Sequence, residues 1–419
     1  MIAALTNETS TERPRCETCS EAKVKQASTR TSNRTKSPMA HAKAAGHLTV
    51  PNLQALAQTW NESGEQVPER YVRTTEQAGE EEVVASCAIP VVDLSRLLDP
   101  QFRRGAAQPW VCLSTRFLPG TDTYSTCFYH SCVELFLACQ LSFTSCVQII
   151  NHGVPDEVIQ DMRRDTSEFF KLPLEAKEVY AQLPDSVEGY GHAFVLSETQ
   201  KLDWADMIYL MLRPAESRDM RFWPAHPPSL RDSVLDGGGK GGVLLAAVHG
   251  ADMGLEQPER FLEMFAGEPQ TMRVTYYPPC RQAGKVIGLS PHTDACAMTL
   301  LLHINDAPCR SGGTMHGKWL SVEPLDGALI VSIGDTFEIL SNGQYKSIEH
   351  RAMVHPDKER ISAAMFHLPC PSVTVGPLPE LVEGGAPARY KSVGHAEFIE
   401  RFFATKLDGR RSNLEYYRI

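Results

Sequence analysis

The sequence lacks the features that are typical of proteins that bind nucleic acid or span a membrane. Its formal net charge is −10, from 41 Lys and Arg against 51 Asp and Glu, and no basic block offsets the negative excess. Because nucleic-acid binding depends on clustered cations, we expect no DNA or RNA partner. The most apolar stretch, residues 132–150, is interrupted by Glu134 and Gln140, whereas a bilayer-spanning helix needs about 20 largely uncharged residues. We therefore also expect no membrane anchor.

The cysteine pattern excludes a disulfide scaffold and gives little support to a zinc site. Twelve cysteines are spread over 419 residues, with no secretory signal before them, so reduced thiols in the cytoplasm are expected. Cys16-x-x-Cys19 has no second such pair that would complete four zinc ligands. No internal repeat is evident.

Short apolar strands bounded by turns dominate the second half of the chain. The predicted strands are Met272–Tyr277, Met298–His303, Ala328–Ile333, Phe337–Leu340, Lys346–Val354 and Ile361–Leu368. Asn342-Gly343 predicts a hairpin turn. Strands of this number and length are typical of a sandwich or a double-sheet jelly roll.

Helical spacing of apolar residues marks the rest of the chain. It predicts helices at Val50–Ala57, over residues 154–171 beginning near Asp156, and over residues 396–406. The predicted fold class is α+β, with a double-stranded β-helix (jelly-roll) core, an N-terminal helical region and a C-terminal helix.

A His-x-Asp motif and a later histidine are the residues that point most directly to chemistry. His292 and Asp294 lie two residues apart, and His350 follows in a later predicted strand. Two imidazoles and one carboxylate can hold a divalent iron and leave coordination positions open. On an extended strand, His292 and Asp294 would project from the same face. His350 would come from a second strand across a barrel interior.

An anion-binding pair follows the second histidine. Arg360 and Ser362 would face the same side of a strand, together with Phe366. A guanidinium beside a hydroxyl can bind a small dicarboxylate. Each feature alone is weak, because single histidines are usually core or surface residues and Arg360 could end a solvated turn. Their order on predicted strands, with matching parity, indicates one oxygen-activating iron site with a co-substrate.

Several motifs also carry a family resemblance. They are Ile89–Ser95, Ile150–Val154, Glu188–Gly191, Lys201–Asp206, Tyr276–Cys280 and Ser341–Arg351. With these motifs the chain resembles the plant 2-oxoglutarate- and iron(II)-dependent dioxygenases, the family of anthocyanidin synthase and flavonol synthase. It is most similar to the subgroup of codeine O-demethylase and the norcoclaurine synthase-like proteins. The likeness covers most of residues 48–100 and 148–419 and implies an isopenicillin N synthase-like fold.

The resemblance implies a role for each candidate site residue. The iron ligands and catalytic centre would be His292, Asp294 and His350. Arg360 and Ser362 would hold the distal carboxylate of 2-oxoglutarate, and Tyr277 would donate a further hydrogen bond to it. Phe366 would place its ring against the organic substrate. Fe(II), O₂ and 2-oxoglutarate are the implied cofactor and co-substrates, with ascorbate as an optional reductant.

Two segments and one residue depart from the family pattern. Residues 101–147 begin Gln-Phe-Arg-Arg-Gly, where the family has an acidic amphipathic helix. Residues 307–316 include Cys-Arg-Ser-Gly-Gly, where the family has a strand. Thr275 stands where many members have Asn. The loss of pattern between well-matched flanks suggests that the two segments are replaced or mis-spliced sequence.

The predicted organisation has four parts. They are a disordered extension (1–47), an N-terminal dioxygenase region with the atypical segment (48–264), the jelly-roll domain (265–372) and a C-terminal helical extension (373–419). The implied function is 2-oxoglutarate-dependent hydroxylation or O-demethylation of a small plant specialised metabolite by a cytoplasmic monomer. Two alternatives stay open: a catalytically impaired member that binds ligands or proteins, and a cupin-like metalloenzyme that uses no 2-oxoglutarate.

Overall fold

A computed structural model describes residues 48, 50–73, 89–95, 145–184, 186–192, 195, 197–238, 261, 263–267, 269–305, 311–315, 318–383, 386–405 and 412–419. The predicted disordered extension and most of the atypical segment 101–147 lie outside these residues. Among the helices in these ranges, none combines the length and apolar character that a bilayer crossing requires.

The described helices and strands follow one another in a mixed order. They are α1 (Leu53–Ser63), β1 (Val91–Asp93), β2 (Cys146–Ile150), α2 (Asp156–Lys171), α3 (Leu174–Glu178), β3 (Gly189–Gly191), β4 (Asp206–Arg213), α4 (Leu230–Gly238), β5 (Gln270–Tyr277), β6 (Leu289–His292), β7 (Met298–His303), β8 (Ser311–Met315), β9 (Lys318–Val322), β10 (Leu329–Ile333), α5 (Asp335–Leu340), β11 (His350–Ala352), β12 (Arg360–His367), β13 (Thr374–Val375), α6 (Pro379–Glu383), β14 (Val393–Gly394), α7 (His395–Phe403) and α8 (Ser412–Tyr416).

Two β-sheets form the centre of the fold. The larger has the order β1-β2-β10-β7-β12-β5-β4-β3, and the smaller has the order β6-β11-β8-β9. The β1–β2 pair is parallel, and the other named strand pairs of these two sheets are antiparallel. This arrangement is the jelly roll of a double-stranded β-helix, so the predicted fold class is confirmed.

The neighbouring strands β5 and β12 separate the core from the cavity of the jelly roll. They pair over their full lengths, from Arg360 opposite Tyr277 to His367 opposite Gln270. On β5, Met272 and Val274 belong to the main hydrophobic core, while the alternate residue Thr275 faces a cavity. Because side chains alternate along a strand, one face stabilises the fold and the other is available for chemistry.

Helix α2 covers the outer face of the large sheet. Its residues Ile159, Met162, Phe169 and Phe170 are buried in the main core. Burying a side chain of this size stabilises the folded state by about 1.5–3 kcal/mol. The predicted helix over residues 154–171 is therefore confirmed, although it begins after Pro155 without a side-chain cap.

Helix α1 is fixed to strand β4 by one buried carboxylate. Asp206 accepts hydrogen bonds from the backbone N–H groups of Leu53 and Gln54, at 3.1 and 2.8 Å. Asn52 caps the same helix end by accepting from the N–H of Ala55 at 3.0 Å. The predicted N-terminal helix exists, but it begins later and runs further than Val50–Ala57.

Three local predictions around α5 are wrong. Phe337–Leu340 is part of helix α5 and not a strand, because a run this short, with all of its residues buried, has no period that distinguishes a helix from a strand. Asn342 and Gly343 both have positive φ, but they end this helix, with the N–H of Gly343 donating to the carbonyl of Glu338 at 2.8 Å. The predicted strand Lys346–Val354 is reduced to His350–Ala352.

Both atypical segments contribute strands to the jelly roll. Strand β2 contains Cys146 and Val147, the end of the first segment, and pairs with β1 and β10. Strand β8, Ser311–Met315, lies within the second segment and pairs with β9 and β11. A strand therefore forms where the sequence had departed from the family pattern.

Replacing Gly334 with alanine should destabilise the fold. An added Cβ would overlap the carbonyl oxygen of Cys296 and lie 2.9 Å from that of Asp294, both rigid backbone atoms. We expect Gly334→Ala to lower the free energy of unfolding by about 1–3 kcal/mol in denaturant titration. Gly284→Ala is the matched control, because nothing lies within 4 Å of its added Cβ. Equal unfolding midpoints for the two variants would contradict this packing argument.

Candidate metal centre

One cavity, lined by both sheets, brings together the seven residues that the sequence singled out. They are Tyr277, His292, Asp294, His350, Arg360, Ser362 and Phe366. The cavity volume is about 90 Å³, several times the roughly 10–15 Å³ that one water molecule needs. The cavity is therefore large enough for ligands beyond a single water molecule.

The two histidines come from neighbouring strands of the small sheet. His292 ends β6, His350 begins β11, and the two are direct partners in the antiparallel pairing. The prediction that His350 comes from across the barrel is therefore wrong. Asp294 lies beyond the end of β6 and not on the strand, yet the chain turns so that its carboxylate joins the two imidazoles.

The donor atoms of these three residues converge on one point. Asp294 Oδ1 lies 3.6 Å from His292 Nε2, and its Oδ2 lies 3.8 Å from His350 Nε2. All three ligand atoms lie within 4.8 Å of one another. Atoms at these separations can share a single metal ion.

Backbone carbonyls fix the orientation of both imidazole rings. His292 Nδ1 lies 2.8 Å from the carbonyl oxygen of Ser290, and His350 Nδ1 lies 3.1 Å from that of Ile348. Because a carbonyl oxygen only accepts, each Nδ1 carries the proton and donates it. Each Nε2 then keeps its lone pair for a metal.

The protonation states also suit a metal site. Burial, followed by the neighbouring His350, lowers the pKa of His292 to about 3. Burial alone would raise the pKa of Asp294, but His350, His292 and a hydrogen bond from Thr299 lower it. That bond runs from Thr299 Oγ1 to Asp294 Oδ2 over 2.5 Å. A neutral imidazole and an ionised carboxylate are the forms that bind metal without first releasing a proton.

The donor set fits divalent iron. Two imidazole nitrogens and one carboxylate on one side of an ion leave its other positions open, which is the geometry of non-haem iron oxygenases. The metal site opens into the cavity, so these positions are accessible to small ligands. Among the described residues, these three form the one such group of His, Cys, Asp and Glu donors.

A cationic corner of the cavity lies on strand β12. Arg360 is 4% exposed, and its guanidinium lies 4.8 Å from the centroid of the Tyr277 ring. Ser362 and Phe366 follow on the same face of β12 and also line the cavity. The Phe366 ring stacks against Tyr209, with centroids 6.5 Å apart. A small dicarboxylate could be held between Arg360 and Ser362.

Two polar residues of this cavity were not predicted from the sequence. Thr299, on β7, orients Asp294 as described above, and Arg273, on β5, donates from Nε to Thr275 Oγ1 at 3.0 Å. Thr275, which replaces the usual Asn, thus lines the cavity with its hydroxyl engaged. Strand parity could have identified Arg273, because it lies two residues before Thr275 and four before Tyr277.

Two family sequence models match the chain. The model described as the 2OG-Fe(II) oxygenase superfamily matches residues 268–369. The model described as the non-haem dioxygenase in morphine synthesis N-terminal region matches residues 134–226. The second match begins inside the segment 101–147, so part of that segment retains the family pattern.

Known relatives match over most of their length. A 2-oxoglutarate-dependent dioxygenase 11 from Oryza sativa subsp. japonica is 45% identical over 89% of this chain and 97% of its own. S-norcoclaurine synthase 1 from Coptis japonica is 38% identical over 87% of this chain and 95% of its own.

A solved structure agrees with the family models and with these relatives. The crystal structure of JOX2 in complex with 2OG, Fe and JA has a TM-score of 0.74 and 29% identity, covering 92% of this chain and 99% of that one. The chain therefore belongs to the plant 2-oxoglutarate- and iron(II)-dependent dioxygenases, and it is an oxidoreductase that uses Fe(II) and 2-oxoglutarate.

Proposed function

We propose that this protein hydroxylates or O-demethylates a small plant specialised metabolite at an iron centre held by His292, Asp294 and His350. The observation that carries the proposal is the convergence of their three donor atoms beside a cavity that also contains Arg360 and Ser362. The metal ligands and the pair Arg360 and Ser362, called the clamp below, would then act on reactants in the same cavity.

The chain's own residues bind and orient the reactants. When bound, Fe(II) and 2-oxoglutarate would supply the electrons that activate O₂, the oxidant, for oxidation of an unreactive C–H bond. His292 and His350 present Nε2 because their Nδ1 protons are engaged by the backbone. The anionic Asp294 offsets part of the metal's charge.

The co-substrate and the organic substrate would meet different walls of the cavity. Arg360 and Ser362 hold the distal carboxylate of 2-oxoglutarate through charge-assisted hydrogen bonds, with Tyr277 beside them. Phe366 contacts the organic substrate. Apolar side chains, including Leu301 and Ile330, line the same cavity and exclude water from the reacting groups.

Two alternative functions were a cupin-like metalloenzyme and a ligand-binding protein without turnover. Membership of the family excludes the cupin-like metalloenzyme that uses no 2-oxoglutarate. A ligand-binding protein without turnover would release no succinate from 2-oxoglutarate when ferrous iron is added, whereas the proposed enzyme releases it. Untargeted metabolite turnover with purified protein would then identify the organic substrate.

Three further expectations stay predictions. They are the cytoplasmic location, the monomeric state and the four-part division of the chain at residues 47, 264 and 372. Cell fractionation and sedimentation would test the first two.

Replacing His292 with alanine should abolish metal binding and turnover. The variant loses one of three ligands, and since the loss of a group that merely orients a ligand costs about 10–100-fold, we expect activity to fall at least about 100-fold. Iron content and succinate release measure the effect. His226→Ala is the control, because His226 is exposed and remote in sequence from the three ligands. A His292→Ala protein with normal iron content and turnover would refute the ligand assignment.

Replacing Arg360 with alanine should raise the KM for 2-oxoglutarate. Losing hydrogen bonds between charged groups costs about 1.5–3 kcal/mol each, or roughly 10–100-fold in affinity. Arg360→Lys keeps the positive charge but loses the planar guanidinium, so its KM should lie between those of the wild type and Arg360→Ala. The exposed Arg281→Gln serves as control. If Arg360→Ala altered the affinity for the organic substrate alone, the clamp assignment would be wrong.

A further inference from the structure

Strand β7 ends in a buried histidine to which the proposed function gives no role. His303 is 5% exposed, and it is the direct partner of Ser362 in the pairing of β7 with β12. Thr299 and Leu301, on the same face of β7, line the cavity. Because side chains alternate along a strand, the His303 side chain continues this face and lies beside Ser362.

Among the residues that the structure describes, the ring nitrogens of His303, Nδ1 and Nε2, have no hydrogen-bond partner. Buried polar groups nearly always have one, so an orphaned imidazole calls for a ligand that would supply it. By comparison, the buried His367 on the opposite face of β12 has Gln270 Nε2 at 3.2 Å from its Nδ1.

The surroundings of His303 favour an anionic ligand and a neutral ring. Burial, then Arg360, then Arg163 lower the pKa of His303 well below its usual value. A neutral imidazole still carries one N–H donor. A carboxylate offers about four acceptor sites, enough for an imidazole N–H in addition to a guanidinium and a hydroxyl.

We propose that His303 is a third residue that binds the distal carboxylate of 2-oxoglutarate, donating a ring N–H beside Arg360 and Ser362. This inference rests on the proposed function, which assigns Arg360 and Ser362 to that carboxylate. His303 is a positioning residue: by fixing the distal end of the co-substrate it sets where the keto-acid end meets the metal site.

The test compares two ligands that differ only at the distal end. 2-Oxopentanoate has the same keto-acid end and carbon chain as 2-oxoglutarate, with a methyl group in place of the distal carboxylate. Both ligands are titrated into the full-length iron-loaded protein without oxygen, and the dissociation constants are measured calorimetrically. The variants are His303→Leu, His303→Gln, which can still donate, and His367→Leu, the same change at a buried histidine that faces away from the cavity.

His303→Leu should weaken 2-oxoglutarate binding by about tenfold or more. The affinity of His303→Leu for 2-oxopentanoate should stay within about twofold of wild type, because this ligand lacks the carboxylate that His303 would contact. Removing the imidazole and removing the carboxylate eliminate the same interaction, so their effects are not additive. His303→Gln should recover most of the affinity. His367→Leu should leave both constants unchanged, even if it lowers the melting temperature. If His303→Leu does not fold, His303→Met replaces it, because the flexible methionine fills irregular space.

The remaining outcomes overturn the proposal, at distinguishable levels. Equal losses for both ligands, or no loss for either, would assign His303 a structural role and leave the Arg360–Ser362 clamp intact. A wild-type protein that binds 2-oxopentanoate as tightly as 2-oxoglutarate would overturn the clamp itself, and the His303 proposal with it.

Discussion

The pairing of β6 with β11 is the constraint on which the metal centre depends. It places His292 and His350 directly opposite each other, and the register then shifts so that Ala352 pairs with Leu289. A register shift of this kind interrupts the regular ladder next to His350, and interruptions such as β-bulges redirect side chains and are common beside active sites. With the imidazoles fixed by strand pairing and by their own Nδ1 bonds, one carboxylate from the following turn completes the donor set.

Alternation along β5, β7 and β12 allows the same strands to serve stability and chemistry. Residues such as Val274 and Ala363 face the helices and belong to the main core, while Thr275 and Ser362 face the cavity. A one-residue slip in register would exchange the two sets, placing polar groups in the core. The eight paired positions between β5 and β12 therefore hold the clamp in place as well as the sheet.

Strand parity made most of the site predictable from the sequence. It placed Arg360, Ser362 and Phe366 on one face because β12 is a regular strand, and the motifs supplied His292, Asp294 and His350. Parity failed where the chain is irregular. Asp294 lies beyond the end of a strand, and α5 is a helix whose polar and apolar residues are all buried. The direct pairing of His350 with His292 depends on long-range contacts that a local pattern does not encode.

Two polar residues, Thr299 and His303, were not predicted from the sequence for a related reason. Thr299 and His303 read as ordinary members of an apolar strand, and what distinguishes them is the partner that each has or lacks. Thr299 is recognised by its bond to Asp294, and His303 by the absence of any partner within the described residues. Information of this kind exists only once the strands are assembled.

The turn that carries Asp294 is braced from beneath by the start of α5. The N–H of Asp335 donates to the carbonyl of Asp294 at 2.7 Å, Thr293 Oγ1 donates to Asp335 Oδ2 at 3.0 Å, and Thr336 Oγ1 donates to the carbonyl of Ala295 at 2.6 Å. Donors held this way are preorganised before any ion arrives, so little conformational entropy is lost on metal loading. A rigid two-nitrogen, one-oxygen set does not by itself discriminate among first-row divalent ions, whose affinities rise from manganese towards copper. Occupancy of the site by iron in the cell would then depend on the available concentration of each ion. Cobalt, nickel or copper would compete with iron for the site and inhibit the enzyme.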